Sequence, residues 1–293
     1  MKSAYPISVF ACIFISSIGR AQDRDQSVTV SLFSGMINYQ GDLKKNKFTY
    51  KQANFAAGVF VRVPISNMFT ARMGVTFGKI DAADRYNRNN LKPRNLSFAT
   101  DIKEIYAAIE ATIPAREDRR LNPYLIGGAA LFHFNPWTRD PGGEKIYLKP
   151  LSTEGQGLSE YPDRKPYQLT QAAIVFGGGI RHQLSPAVNI GLEITERKTF
   201  TDYIDDVSST YVDQTILLRA RGPKAVELAY RADELPGGNP LYPGHGKQRG
   251  ATGQKDWYYF VGLTLQVKIA GNGERFGRGM RGAGLRCPRF PSY

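Results

Sequence analysis

The chain has 293 residues, of which 42% are hydrophobic and 12% aromatic, and its 39 Lys and Arg against 26 Asp and Glu give a formal net charge of +13. No segment beyond the N-terminus contains the roughly 18 unbroken apolar residues of a transmembrane helix, so a membrane protein with this sequence must use strands. No Pro/Ser-rich linker divides residues 28–269, which favours one domain.

The N-terminus has the layout of a secretory signal peptide. Lys2 supplies a positive charge, and residues 6–18 form an apolar stretch too short to span a bilayer. Residues 19–21 place small side chains where a signal peptidase cleaves, which predicts a mature chain starting at Gln22. A lipoprotein signal that ends at Cys12 is the alternative, although it leaves an apolar core of only about nine residues.

Eight segments alternate between an apolar face and a small or polar face, which is the period of two expected for transmembrane strands. The last segment is the clearest example, and no helix with 3.6 residues per turn produces its separation of faces. The first, fifth and sixth are weaker and rich in glycine. The predicted strands are residues 28–39, 55–63, 69–78, 104–113, 124–134, 172–182, 188–197 and 257–269.

The connections between these segments alternate in length. Three are short, namely residues 64–67, 114–122 and 184–187. Four are long, namely residues 40–54, 81–95, 135–171 and 201–256. Membrane barrels have short periplasmic turns and longer external loops, so we expect both chain ends in the periplasm. Aromatic residues near the predicted external rim would form an interfacial girdle: Tyr39, Trp137, Tyr203, Trp257 and Tyr259.

These patterns predict an all-β fold, an eight-stranded antiparallel transmembrane β-barrel of residues 22–270 in the outer membrane, with lipid around it. An eight-stranded barrel is filled by its own side chains, so we expect a closed interior network of opposite charges. Its members would be Arg62, Arg72, Glu104, Glu110, Glu193 and Arg197. A soluble, lipocalin-like barrel with its apolar face inward is the alternative, because a period of two does not show which face is inside.

No motif in the sequence indicates catalysis. His133, His182 and His245 lack metal-ligand spacing, and the HExxH, GxSxG and CxxC patterns are absent. The glycines of residues 176–179 are not followed by the Lys-Ser or Lys-Thr pair of a phosphate-binding loop. We therefore predict a protein that is not an enzyme and has no cofactor, no nucleic-acid partner and no small-molecule substrate.

The start of the last long connection is acidic. Asp202, Asp205 and Asp206 lie close together there, and carboxylate oxygens are the ligands that calcium prefers. They form a weak candidate calcium site. The alternative is a loop in which the same carboxylates accept hydrogen bonds from the protein.

Residues 271–293 form a basic tail, too rich in glycine for a helix and too cationic to bury alone. Such a tail in the periplasm requires anionic headgroups or an acidic partner surface. Its lone cysteine has no internal disulfide partner, because the other cysteine leaves with the signal peptide. The predicted docking residues are Arg275, Arg278, Arg281, Arg286, Cys287 and Arg289.

Three parts of the chain resemble the PorG-like family of Bacteroidota outer-membrane barrels, which belong to the type IX secretion system. They are RKTFTDYIDDVS at 197–208 with YVD at 211–213, FHFNP at 132–136 with PLSTEGQG at 150–157, and RCPRF at 286–290. The resemblance runs from the first strand to the end and brings no catalytic residues. It implies a barrel that contacts periplasmic lipoprotein and ring subunits of the secretion apparatus. A general structural or adhesive small barrel, and an enzyme active at the external rim, are the alternatives.

Overall fold

A computed structural model describes residues 27–44, 49–50, 52–113 and 121–270. The predicted signal peptide (1–21) and basic tail (271–293) lie outside the described residues, as does most of the predicted turn at 114–122. The long strands are β1 (Val28–Gln40), β2 (Asn54–Pro64), β3 (Phe69–Ala83), β4 (Ser97–Thr112), β5 (Leu121–His133), β8 (Thr170–Gln183), β9 (Val188–Thr199) and β10 (Trp257–Ala270).

The connections carry short elements. A hairpin is formed by β6 (Trp137–Arg139) and β7 (Lys145–Tyr147), and two short helices follow, α1 (Gln214–Arg221) and α2 (Pro223–Ala229). Single 3-10 turns occur at Asp84–Tyr86, Lys92–Arg94, Lys149–Leu151 and Ala232–Glu234. Among the described residues, no helix is long and apolar enough to cross a membrane.

The eight long strands form a closed antiparallel barrel in which each strand pairs with its neighbours along the chain. Pairing of β1 with β10 closes the barrel, with Leu32 opposite Leu265 and Gly35 opposite Gly262. The predicted number of strands and their order are therefore confirmed. The hairpin of β6 and β7 continues the sheet beyond β4, through the pairing of Ala99 with Trp137.

Two strands are longer than the sequence predicts by five or more residues. The interval 81–95 was expected to be a loop, but β3 continues to Ala83 and β4 begins at Ser97. The added residues keep the alternation, and the side chains of Ile80, Ala82 and Phe98 are buried in the main core. The longer strands extend the barrel wall to meet the folded loops, and that contact supplies the burial that local patterning did not reveal.

The two faces of the barrel differ as predicted. In β10, the side chain of Leu263 is 55% exposed on the outer face, whereas that of Thr264 is 0% exposed on the inner face. The same alternation places Ile105 and Leu192 outside and Glu104 and Glu193 inside. A soluble lipocalin-like barrel has the opposite arrangement, so that alternative is wrong.

All four long connections leave the same end of the barrel, where they pack into a cap. The described connections at the opposite end, residues 65–68 and 184–187, are short. Tyr39 was predicted to belong to an exposed girdle, but it is fully buried where the barrel meets the cap. Tyr203 is also in the cap, stacked on Tyr167 with ring centroids 4.9 Å apart. Both rings contact loop residues distant in sequence, which local position does not reveal.

Replacement of Gly35 by alanine should destabilise the barrel where β1 meets β10. A Cβ at this position would lie 2.3 Å from the carbonyl oxygen of Val261 and 2.5 Å from the Cα of Gly262. We expect a loss of about 1–3 kcal/mol, because backbone atoms must shift to accept the methyl group. Gly127→Ala in β5 is the matched control, since its Cβ meets no atom within 4 Å. Urea unfolding would measure the stability of both variants. Equal losses of stability in the two would contradict the close approach of β1 and β10 at Gly35.

Candidate functional site

Near the short-turn end of the barrel interior, three arginines share one carboxylate. The Nε of Arg62 and the Nη2 of Arg181 donate to Glu110 at 3.0 and 2.7 Å. The Nη1 of Arg72 lies 3.4 Å from the same carboxylate. All of these side chains come from the inward faces of β2, β3, β4 and β8, and Glu110 is completely buried.

Arg72 links this group to the opposite wall of the barrel. Its Nη1 and Nη2 donate to Glu193 of β9 at 2.6 and 2.9 Å, while its Nε donates to Tyr106 at 2.7 Å. The hydroxyl of Tyr124 also donates to Glu193, at 2.9 Å. The Arg72 guanidinium lies 3.6 Å from the centroid of the Phe60 ring. The face of this ring therefore covers the part of the cation that no carboxylate contacts.

A second interior pair lies nearer the cap. Nε and Nη2 of Arg197 donate to Glu104 at 3.0 and 2.8 Å, and the hydroxyl of Tyr258 donates to the same carboxylate at 2.7 Å. The Arg197 guanidinium lies 4.5 Å from the centroid of Phe260. These ion pairs and rings fill the cross-section of the barrel with side chains.

The structure therefore brings all six charged residues predicted for the interior into two ion-paired groups. Sequence reasoning missed Arg181, which lies in a glycine-rich strand with a weak pattern. Alternation did contain the signal, because Gly177, Gly179 and Arg181 share one face of β8. The missing side chains of the two glycines leave room for the guanidinium and for the ring of Tyr124, which lies 4.5 Å below it.

A second polar core holds the cap together. Glu154 is fully buried and accepts hydrogen bonds from the backbone nitrogens of Ser208 and Ser209 at 3.0 and 2.9 Å. Arg249 pairs with it at 3.0 Å and also donates to the carbonyl oxygen of Asp206 at 2.6 Å. This core connects the third long loop to two distant parts of the fourth.

The second loop joins the same core through an arginine. Arg94 donates to both oxygens of Asp84 at 2.7 and 2.8 Å, and it also donates to the carbonyl oxygens of Arg249 and Asp42. Asp84 additionally accepts from the backbone nitrogen of Leu96 at 3.1 Å. Segments from all four long loops are thus fixed to one another.

Asp205 and Asp256 share the hydroxyl of Tyr39 at the base of the cap. The phenol oxygen lies 2.7 Å from a carboxyl oxygen of each. A phenol has one proton to donate, so one of the two contacts requires a protonated carboxyl group as the donor. Burial and the nearby carboxylates, which include Asp42 for Asp205, hold the pKa values of Asp205 and Asp256 well above the usual range.

The calcium interpretation of Asp202, Asp205 and Asp206 is wrong. Their oxygens accept hydrogen bonds from separate protein donors: Asp202 from Ser208 at 2.7 Å, Asp206 from Tyr167 at 2.8 Å, and Asp205 from the backbone nitrogen of Val207 at 3.0 Å. In the part of the chain that the structure describes, no group of three His, Cys, Asp or Glu side chains could hold a metal ion. The acidic cluster is a set of hydrogen-bond acceptors that orders the loop.

The remaining predicted features occupy other places. His133 lies exposed at the rim of β5, with its Nδ1 3.1 Å from the hydroxyl of Thr170. Gly177 and Gly179 face the barrel interior from β8, and Gly178 lies between them on the outward face. The docking residues Arg275, Arg278, Arg281, Arg286, Cys287 and Arg289 lie outside the described residues.

A family model described as "Domain of unknown function (DUF6089)" matches residues 7–220, well over half of the chain. The chain belongs to the DUF6089 family. The DUF6089 match includes β1 to β9 and ends inside α1, before the strand that closes the barrel. No curated protein matches this chain significantly.

Several solved structures are similar in fold. Neisserial surface protein A is 9% identical, with a TM-score of 0.40, over 84% of this chain and 100% of that one. Ail of Yersinia pestis, in complex with the heparin analogue sucrose octasulfate, is 7% identical, with a TM-score of 0.38, over 83% and 99%. The outer membrane protein OprG of Pseudomonas aeruginosa is 7% identical, with a TM-score of 0.36, over 84% and 98%.

Glu110→Gln should destabilise this DUF6089 barrel strongly. The change leaves three buried guanidinium groups without their shared negative charge, which costs about 3–5 kcal/mol for a broken buried pair. Glu160→Gln is the control, since Glu160 pairs with Arg219 at the protein surface and should have little effect. Unfolding titrations in detergent would measure both, and a Glu110→Gln barrel as stable as the control would contradict the role of the network.

The stability of the cap should fall as pH rises from about 4 to 6, the interval between the usual aspartate pKa and the raised values. Burial raises the pKa values of Asp202 and Asp206 to about 6, so the folded cap holds protons that an unfolded chain has released. Protease resistance at several pH values would measure this trend. Asp202→Asn should make it shallower, because the amide oxygen still accepts from Ser208 but has no charge to develop. Resistance that rises with pH over this interval would contradict the assignment.

Proposed function

We propose that this protein is an outer-membrane barrel that acts, without enzymatic activity, as a component or anchor of the type IX secretion machinery. The observation that carries the membrane part is the closed barrel itself. Its outer face is apolar except near the capped end, where Asp101, Lys103 and Lys198 lie, and the central charges of the barrel are paired inside. A chain with these two faces is suited to a lipid bilayer, because closure satisfies every strand edge while lipid covers the apolar side chains.

The height of the apolar face supports this environment. On β10 the outward side chains from Val261 to Ile269 are all aliphatic, and eight residue steps span about 27 Å of strand. A strand tilt of about 40° reduces this length to about 21 Å of height. The apolar band of an outer-membrane barrel is about 25 Å tall.

Tryptophans and lysines near the capped end fit a bilayer interface. The Nζ of Lys198 lies 5.6 Å from the centroid of Trp257, and that of Lys145 lies 4.5 Å from Trp137. Aromatic residues with neighbouring cations are suited to the level of lipid headgroups, where a ring and a charge are both satisfied. The cap would then face the cell exterior, and the short turns and both chain ends would face the periplasm.

Contact with other proteins is the action that this architecture supports best. The packed interior leaves little room for a permeant molecule, so function falls to the surfaces at the two ends. Two sequence segments that resemble the PorG-like family, residues 150–157 and 201–208, meet in the cap through the hydrogen bonds of Glu154 with Ser208 and Thr153 with Asp206. The resemblance thus includes residues that build the cap, as well as the tail.

The ordered cap also favours a second candidate, a structural or adhesive barrel that binds a ligand outside the cell. The loops of the cap are ordered by a buried polar core, which a simple connection between strands does not require. The core consists of Glu154, Arg249, Asp84 and Arg94. Co-purification distinguishes the two candidates, because only the secretion component should bring periplasmic lipoprotein and ring subunits with it from native membranes.

A charged side chain on the outer face should impair membrane insertion. Leu263→Arg places a guanidinium on the apolar band, and we expect a loss of about 2–4 kcal/mol near the midplane. Leu241→Arg is the control, because that side chain is 73% exposed in the cap region, away from the strands. Folding into lipid vesicles across a urea gradient would measure the difference, and equal behaviour of the two variants would place the outer face in water.

Deletion of residues 273–293 should leave a heat-modifiable, membrane-inserted barrel that no longer retains periplasmic partners or supports type IX secretion. Arginines of the tail would donate paired hydrogen bonds to acidic groups of those partners. A full-length variant with the tail arginines changed to lysine is the matched control. It keeps the positive charge of the tail but loses the paired hydrogen bonds, so it separates the effect of charge from that of hydrogen-bond geometry. A truncated protein that still retains its partners in a native-membrane pull-down would reject tail docking and move the contact to the turns at residues 64–67 or 116–122.

A further inference from the structure

The surface of the cap contains a basic cavity that neither the barrel nor the proposed secretion role explains. It has a volume of about 240 Å³ and adjoins a second, more open cavity of about 410 Å³. The two share Lys149, Pro166 and Tyr167 and together form one groove along the third long loop. No described residue that lines either cavity is acidic.

The smaller cavity is lined by Gln156, whose buried amide nitrogen has no hydrogen-bond partner among the described residues. Gln156 is only 3% exposed, and its Oε1 accepts from the backbone nitrogen of Glu154 at 3.1 Å. That bond fixes the orientation of the amide, because a flipped amide would set two donors against each other. The Nε2 is therefore a donor, and among the described residues nothing accepts its hydrogen bonds. A buried donor without a partner is unusual, and a bound acceptor is one explanation for it.

Two cations lie beside this donor. The Nε of Arg221, at the end of α1, donates to the hydroxyl of Ser152 at 3.2 Å, which orients the guanidinium and leaves its two terminal nitrogens available. Lys149 begins a 3-10 turn on the other side of the cavity. Neither forms an ion pair with a carboxylate of the described residues, whereas the nearby Arg219 and Lys224 do.

The floor of the groove is rigid. The ring of Tyr167 stacks on Tyr203, with centroids 4.9 Å apart, and on Phe134 at 6.2 Å. Its hydroxyl donates to Asp206 at 2.8 Å and is therefore committed within the cap. Pro150 and Pro166 add apolar surface without donors. The cavity thus combines fixed apolar walls with three donors that have unused capacity.

We propose that this cavity binds a small organic anion through a phosphate or carboxylate group. The oxyanion accepts hydrogen bonds from the Nε2 of Gln156 and the terminal nitrogens of Arg221, and Lys149 contributes positive charge. The remainder of the ligand lies along the groove against Tyr167 and the two prolines. This binding site is independent of partner docking by the tail, and secretion and anion binding are tested by different measurements.

The test is calorimetric titration of the full-length protein in detergent micelles, at constant ionic strength, with inorganic phosphate and with glucuronate as probes. We expect saturable binding to one site for at least one probe. A response to phosphate alone assigns a phosphate group to the ligand, and a response to glucuronate alone assigns a carboxylate. Gln156→Glu should weaken binding about tenfold or more, because it replaces the donor by a negative charge while keeping the acceptor for the Glu154 nitrogen.

Arg221→Gln should produce a comparable loss, while Arg219→Gln, with the same change of charge on the same helix, should alter affinity less than about twofold. Protease resistance of each variant would establish that the cap remains folded, and Lys149→Gln provides a further variant if Gln156→Glu does not fold. Two results would overturn the proposal. One is that the wild-type protein shows saturable binding of neither phosphate nor glucuronate at probe concentrations up to about 10 mM. The other is an equal loss in the Arg219→Gln and Arg221→Gln variants, which would indicate non-specific attraction.

Discussion

Closure of a narrow antiparallel sheet is the constraint on which the rest of this protein depends. Pairing of β1 with β10 leaves none of the eight long strands with a free edge, so the barrel backbone satisfies its own hydrogen bonds and the outer face can be apolar. Eight strands enclose little space. Each inward position must therefore be small, as at Gly35 and Gly262, or must place its polar atoms against a partner across the barrel.

The interior ion pairs follow from that constraint and also reinforce it. Arg62, Arg72, Glu110 and Glu193 come from four different strands, and each finds its partner only when all of those strands are in register. A slip of one residue in the pairing register of a strand would turn every inward charge of that strand toward the outer face. Burial of ionised groups is costly, so the network contributes less to net stability than to selecting one arrangement of strands.

The cap applies the same chemistry to irregular backbone. Its loops are fixed by Glu154 with Arg249 and by Asp84 with Arg94, and apolar clusters such as that of Val212, Leu217 and Ala225 pack beside these pairs. Carboxyl groups buried at its base have raised pKa values, which makes the order of the cap responsive to pH while the ion-paired barrel remains closed. We propose two separate binding roles, one for the basic tail with periplasmic partners and one for the groove of the cap with a small anion.

The sequence by itself determined the eight strands, their faces and six of the interior charges, because alternation is a local property that each strand records separately. Arg181 was missed, since glycines dilute the pattern of β8. The long extensions of β3 and β4, the burial of Tyr39 and the cavity beside Gln156 were decided by tertiary structure alone. The partners of Asp202, Asp205 and Asp206 include Tyr39 and Tyr167, far away along the chain. Such long-range contacts have no period, so folding is required to reveal that these carboxylates bind hydrogen-bond donors and not calcium.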